Sequence, residues 1–243
     1  MWTTNLLFST FTILFHHVTS TTAFTTIHPH SFPTTSTTTK LYSLKPAAIP
    51  LMDSGKALAR SGEILIDYTS TLNLYGGGLS AAGANIRNCG DAVAQAAASC
   101  RFKTGAELVC DELRNGGDSL KEAVDKLKLA VEECMVEERT VYLAPLVEST
   151  VNPMESSSIA LEAAGASIQQ RRPIADVGEE LYKCACSLEQ LAMAIQQFDV
   201  DAKEPKECST RMMFASTKMK EAGDELRGKK DKPKPKGKSW IKG

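Results

Sequence analysis

The chain has 243 residues, of which 6% are aromatic and 23% charged, and its formal net charge is −1. That value averages three unlike regions. Residues 1–45 carry +2, residues 46–226 carry 18 basic against 28 acidic side chains for a net −10, and residues 227–243 carry +7. The chain is long enough for one good-sized core. The acidic charge of residues 46–226 disfavours nucleic acid as a partner, because it repels phosphates.

Histidine is confined to the N-terminal end of the chain. The four histidines are His16, His17, His28 and His30. If that segment is removed by processing, the remaining chain lacks the commonest general base and the commonest metal ligand. We therefore predict a protein that is not an enzyme and has no cofactor or metal site. The alternative is an enzyme that uses only cysteine, lysine or carboxylate side chains.

The first forty residues have the composition of a targeting segment. Residues 5–15 form an apolar run that is too short for a membrane-spanning helix. Residues 1–40 contain 18 Ser or Thr and no Asp or Glu. Such a segment buries too little apolar surface to fold, so we predict disorder. One interpretation is a secretory signal followed by a Thr-rich stalk.

The sequence Thr22-Ala23-Phe24-Thr25 follows the apolar run and precedes the acid-poor Ser/Thr-rich stretch. This arrangement resembles the bipartite plastid-targeting presequence of algae with complex red-derived plastids, such as diatoms, although no Lys or Arg precedes Lys40. The resemblance implies a signal peptide over 1–23 and a transit peptide-like segment over 24–48. It also implies a destination in the plastid stroma, with thylakoid association as an option; a secreted or endomembrane location is the alternative.

Residues 55–100 repeat a heptad with a small residue at position a and a larger, mostly apolar residue at position d. The a positions are Gly55, Gly62, Thr69, Gly76, Gly83, Gly90 and Ala97, and the d positions are Leu58, Leu65, Leu72, Leu79, Ile86, Val93 and Cys100. Small a residues allow two helix backbones to approach closely, while the d residues fill the space beside them. The heptad phase continues through the Gly76–Gly78 triplet, which predicts one long helix with a weak point, or two collinear helices. The sequence leaves open whether this triplet is a kink or a hairpin turn.

The same alternation of small and large residues continues to the end of the body. We predict a helix from about Ala106 to Leu143, with residues 115–118 as a kink or a hairpin turn, and Pro145 and Pro153 ending it. A third helix follows the serines at 156–158, with a change of phase at Pro173, and a fourth spans about 207–227. The predicted fold is an all-α antiparallel bundle of about four long helices over residues 49–228.

The seven cysteines are odd in number and lack the spacing of a disulfide scaffold, which suits a reducing compartment. Cys100, Cys110 and Cys134 fall on a or d positions and are predicted to fill the core. The candidate redox-active cysteines are Cys184, Cys186 and Cys208. The acidic pairs at 132–133 and 137–138 are interpreted as a solvated face, since a di-iron bundle needs histidine ligands.

The basic tail, residues 229–243, is the segment best suited to contact a partner. Its lysines alternate with proline, which favours an extended chain, and its end carries an apolar pair. The candidate docking residues are Lys229, Lys230, Lys232, Lys234, Lys236, Lys238, Trp240 and Ile241. The candidate targets are a protein complex or acidic protein surface, the thylakoid membrane surface, and the acidic bundle itself. A purely solubilising tail is the alternative.

These features predict a non-catalytic helical-bundle scaffold, assembly factor or complex subunit in a plastid, with a basic tail for electrostatic docking. The pattern is also compatible with an oligomer. The second hypothesis is an amphipathic lipid- or pigment-associating protein at the thylakoid surface, whose glycine-weakened helices open and lay their apolar faces on a membrane.

Overall fold

The computed structural model describes residues 43–72, 74, 76–102, 105–199 and 201–229, and all regular structure within these ranges is helical. The six helices are α1 (Ala48–Leu72), α2 (Gly78–Ser99), α3 (Ala106–Val136), α4 (Ala144–Gln169), α5 (Ile174–Ile195) and α6 (Lys203–Arg227), with short 3-10 turns at Lys45–Ala47 and Val141–Leu143. The prediction of an all-α fold is confirmed. The prediction of about four long helices is wrong, because the first and third predicted helices each fold into two.

The six helices form a closed ring. Each helix packs against its two neighbours in chain order, and α6 packs against α1. Neighbours run antiparallel: Gly55 of α1 lies beside Gly90 of α2, and Gly62 of α1 lies beside Gly83. The closing seam has the same sense, because Ser54 bonds to Ala215 whereas the later residue Ser61 bonds to an earlier residue of α6. No helix of the ring therefore depends on a single neighbour.

The first predicted helix is a hairpin whose two halves meet along their a positions. A Cβ added to Gly55 would lie 2.6 Å from the carbonyl oxygen of Gly90, so the two backbones are in contact. The chain reverses at Gly76, whose φ of +92° is a left-handed conformation that favours glycine. Because the turn lies near the middle of the heptad repeat, the a positions of α1 face the a positions of α2. The repeat therefore has the same phase on both sides of the turn.

Three other boundaries differ from the sequence prediction. Residues 115–118 do not turn the chain into a hairpin; they lie inside α3. Pro145 lies in the first turn of α4, where the amide hydrogen it lacks would have no helical partner. Pro153 lies inside α4 and does not end it. The helix continues through Pro153 because Thr150 and Met154 on either side are buried in the core.

The core consists largely of the predicted d residues. Leu58, Leu65, Leu79, Ile86 and Val93 are all buried, each exposing 2% or less of its surface. The later helices contribute Leu113, Leu120, Leu127, Leu161, Leu181, Leu188, Met212 and Met219, which are equally buried. The heptad prediction of the core is therefore confirmed even where the helix boundaries were wrong.

The bundle begins earlier than residue 49. Leu44 and Ala47 are buried in the core, and the 3-10 turn that contains Ala47 packs against α6. The end of the predicted transit segment therefore belongs to the folded body. The predicted signal peptide, the transit segment as far as residue 42, and tail residues 230–243 lie outside the described residues.

Candidate functional site

The last turn of α6 is bound to α5 through Arg227. Its Nη1 donates to Glu179 Oε2 at 2.7 Å, and its Nη2 bonds to the Asp224 carboxylate. The guanidinium carbon lies 4.0 Å from the centroid of the Tyr182 ring, a cation–π arrangement. The hydrogen bond from Arg227 lowers the pKa of Glu179. Gly228 then ends the helix with a φ of +70°, so the basic tail leaves the body at a fixed point.

The negative charge of the body is concentrated on one helical hairpin. The α3–α4 hairpin, residues 106–169, contains 13 acidic and 5 basic residues, a net charge of −8. By comparison, residues 46–105 carry a net +1 and residues 170–226 a net −3. Most of the body's charge of −10 therefore lies on two of its six helices.

A cleft of about 650 Å³ lies at the end of this hairpin, between the first turns of α3 and the last turn of α4. Its apolar lining comes from Ala106, Cys110 and Ile168. The carboxylates of Glu107 and Asp111 also line it, and both residues are exposed. The cleft, which we call the hairpin cleft, thus combines apolar residues with two acidic groups and the basic Arg171. It lies at the same end of the ring as the C-terminus of α6.

The candidate redox cysteines differ in accessibility. Cys186 is half-buried, whereas Cys184 and Cys208 are buried in the core. Burial raises the pKa of Cys208 to about 12 and that of Cys184 well above its usual value, so neither thiol forms a nucleophilic thiolate near neutral pH. Cys208 instead donates a hydrogen bond to the carbonyl oxygen of Ser61. A redox role remains a prediction, and Cys186 is the most accessible of the three.

Two polar side chains, Glu133 and Tyr68, lie at the opposite end of the ring. The carboxylate of Glu133 accepts hydrogen bonds from the amides of Gly77 and Gly78, at 3.1 and 2.8 Å, at the start of α2. Tyr68 is 1% exposed, and its hydroxyl has no hydrogen-bond partner within the described part of the chain. Burial, together with nearby Tyr142 and Asp199, raises the pKa of Tyr68. Glu133 thus caps a helix, although its acidic pair was interpreted as part of a solvated face.

Of the candidate docking residues, only Lys229 lies within the described residues, and it directly follows the Gly228 cap. Within those residues no cluster of three or more His, Cys, Asp or Glu side chains is arranged to hold a metal ion. The helices described for the body also include none that is long and apolar enough to cross a membrane.

Sequence reasoning missed the Arg227–Tyr182 contact, the hairpin cleft and the concentration of charge on α3 and α4. The charge signal is present in the sequence, but it emerges only when charges are summed over residues 106–169, and those bounds come from the helices of the structure. The cleft required the tertiary structure, because its two walls are separated by some sixty residues.

Comparison with known proteins assigns no relative to this chain. No protein-family model, no curated protein and no solved structure matches it.

Proposed function

We propose that this protein is a non-catalytic scaffold, assembly factor or subunit of a plastid complex, in which a rigid helical body presents a basic tail for electrostatic docking. The observation that carries the proposal is the anchoring of α6 to α5 by Arg227, one residue before the Gly228 cap. A rigid body that ends in a concentrated positive segment suits binding to an acidic protein surface or an anionic membrane. The plastid location follows from the presequence resemblance.

Rigidity is supported by the seams between helices. A Cβ added to Gly178 of α5 would lie 2.6 Å from the carbonyl oxygen of Gly223 of α6, and one added to Gly117 of α3 would lie 3.1 Å from backbone atoms of α4. Buried hydroxyl groups link the same pairs of helices. Ser216 donates to Ala185 O at 2.8 Å, and Ser158 donates to Gly117 O at 2.8 Å. Backbones in direct contact gain dispersion energy that is lost when the helices separate.

The second hypothesis, opening of the bundle onto lipid or pigment, requires those seams to break. Opening at the α1–α6 seam would expose the buried Ser54 hydroxyl and the Cys208 thiol, which bond to backbone carbonyls across it. The closed ring therefore favours a body that stays folded while the tail binds. Flotation with liposomes separates the hypotheses: an opening bundle floats with neutral lipid and loses helix–helix contacts, whereas a docking protein binds only anionic vesicles, through its tail.

The docking proposal is tested with two forms of the chain. One is intact, and the other has Lys232, Lys234, Lys236 and Lys238 replaced by serine, which leaves the described body and the apolar tip unchanged. Each is incubated with isolated plastid membranes and soluble complexes at low and high salt. We expect the intact chain to bind in a salt-sensitive manner and the serine variant to remain free. Equal binding of both forms would refute docking through the tail.

A further inference from the structure

The basic tail and the α3–α4 hairpin are complementary in charge. Residues 229–243 carry +6 and residues 106–169 carry −8, whereas the other two thirds of the body are close to neutral or weakly acidic. A positively charged segment is attracted most strongly to the part of the molecule where negative charge is concentrated. The α3–α4 hairpin is therefore the part of the body toward which the tail is drawn.

The tail is also long enough to reach the hairpin cleft. Successive helices of the ring are antiparallel, so α6 ends where α3 begins and α4 ends. With packed helix axes about 8–10 Å apart, opposite helices of a six-membered ring lie about 16–20 Å apart. Trp240 follows Lys229 by eleven residues, which span about 34 Å in the extended conformation that alternating prolines favour.

The chemistry of the hairpin cleft matches the tip of the tail. The tip places Trp240 and Ile241 between Lys238 and Lys242. The cleft offers apolar residues and the carboxylates of Glu107 and Asp111. Arg171 is also in the lining, and a guanidinium is attracted to the face of an indole ring.

We propose that the basic tail docks on its own body, with Trp240 in the hairpin cleft and the flanking lysines facing Glu107 and Asp111. Because the tail is tethered, its effective concentration at the cleft is on the order of millimolar, and a weak contact suffices to hold it. An external acidic partner must then compete with the α3–α4 hairpin for the same lysines. This inference goes beyond the proposed function and does not depend on it, because it concerns the isolated chain.

The test uses the fluorescence of Trp240. The chain contains two tryptophans, Trp2 and Trp240, so the full chain with Trp2→Phe has one indole. Acrylamide quenching of this indole is compared with that of a synthetic peptide of residues 229–243. At low salt we expect the quenching constant in the chain to be lower than in the peptide by about twofold or more. At about 500 mM salt, which screens exposed charges, it should rise toward the peptide value.

Two variants test whether Trp240 is held at the hairpin cleft. Glu107→Gln with Asp111→Asn removes the cleft carboxylates and should raise quenching at low salt. The matched control, Asp67→Asn with Asp91→Asn, makes the same change of charge at exposed positions of α1 and α2 and should leave quenching unchanged. Circular dichroism checks that each variant is folded. If the cleft variant fails to fold, Lys232→Ser with Lys234→Ser and Lys236→Ser in the tail gives the same expected release of Trp240.

Three results would overturn the proposal. The first is peptide-like quenching of the intact chain at low salt. The second is protection that persists in the cleft variant, or in the tail variant used in its place. The third is protection that increases with protein concentration, because the tail would then be bound by a second copy of the chain. None of these results bears on whether an external partner binds the tail.

Discussion

Replacing Gly55 by alanine tests the close contact between the backbones of α1 and α2. A Cβ at this position would lie 2.5 Å from the backbone nitrogen of Ala94 and 2.6 Å from the carbonyl oxygen of Gly90. Both are backbone atoms of the opposite helix, so neither can move aside as a side chain can. The Gly55→Ala change therefore forces α1 and α2 apart.

The expected magnitude follows from two opposing effects. Overpacking of a well-filled interior costs about 1–3 kcal/mol, and contact with backbone places Gly55→Ala at the upper end of that range. Alanine recovers about 1 kcal/mol through its higher helix propensity. We expect a net loss of about 2 kcal/mol in the free energy of unfolding, or about 4–8 °C in Tm for a body of this size.

Gly116→Ala is the matched control. Gly116 is also buried inside a helix, but the nearest atom to an added Cβ is 3.6 Å away, an ordinary van der Waals distance. Only the gain in helix propensity then applies, and we expect stabilisation by about 0.5–1 kcal/mol. Urea unfolding followed by far-UV circular dichroism measures both variants. A Gly55→Ala variant as stable as the parent chain would refute the close α1–α2 seam. A destabilised Gly116→Ala variant would instead contradict the open space beside Gly116 and remove it as a control.

Three further predictions concern Cys186, Tyr68 and Glu133. At pH 8 the folded chain should expose one fast-reacting thiol, that of Cys186, and the other six should react only after unfolding, since burial withholds them from reagent and solvent. Tyr68→Phe should retain stability or raise it by up to about 1 kcal/mol, because it removes a buried hydroxyl that has no hydrogen-bond partner among the described residues. Above about pH 10, Tyr68 releases its proton in the unfolded parent chain but retains it in the folded chain, so the free energy of unfolding of the parent falls as the pH rises. Tyr68→Phe should show a smaller fall. Glu133→Ala should lower the free energy of unfolding by about 1 kcal/mol, because the amides of Gly77 and Gly78 lose their acceptor.

Each of these predictions has a control. Cys186→Ser should abolish the fast thiol reaction with a disulfide reagent, and two or more fast thiols in the parent chain would contradict the buried placement of the others. Tyr68→Ala should cost about 3–5 kcal/mol in thermal or urea unfolding because it leaves a cavity; a similar cost for Tyr68→Phe would mean that the hydroxyl has a partner. Glu132→Ala changes an exposed neighbour and should be neutral, so equal effects at 132 and 133 would count against the helix cap.

Sequence reasoning identified the core residues but not the path of the chain. Leu58, Leu65 and Ile86 were placed correctly because a d position faces the interior whichever neighbouring helix supplies the contact. The sequence left open whether residues 76–78 form a kink or a hairpin turn, because the turn between α1 and α2 lies near the middle of the heptad repeat and the periodicity is the same before and after the reversal. The hairpin cleft was missed for a related reason, since it forms only once α3 and α4 are known to be partners.

The two glycine-rich stretches show where the information in the sequence ends. Its heptads determined an all-α body with small residues on the contact faces and leucines inside, because side-chain size and spacing act locally along each helix. Only the tertiary structure decided that Gly76 and Gly77 lie in the turn before α2 while Gly116 and Gly117 lie within α3. Glu133, more than fifty residues away, binds the amides at the first stretch. Ser158 of α4 packs against Gly117 at the second, where α3 continues unbroken. Both stretches are rich in glycine, and the partner helices made the difference.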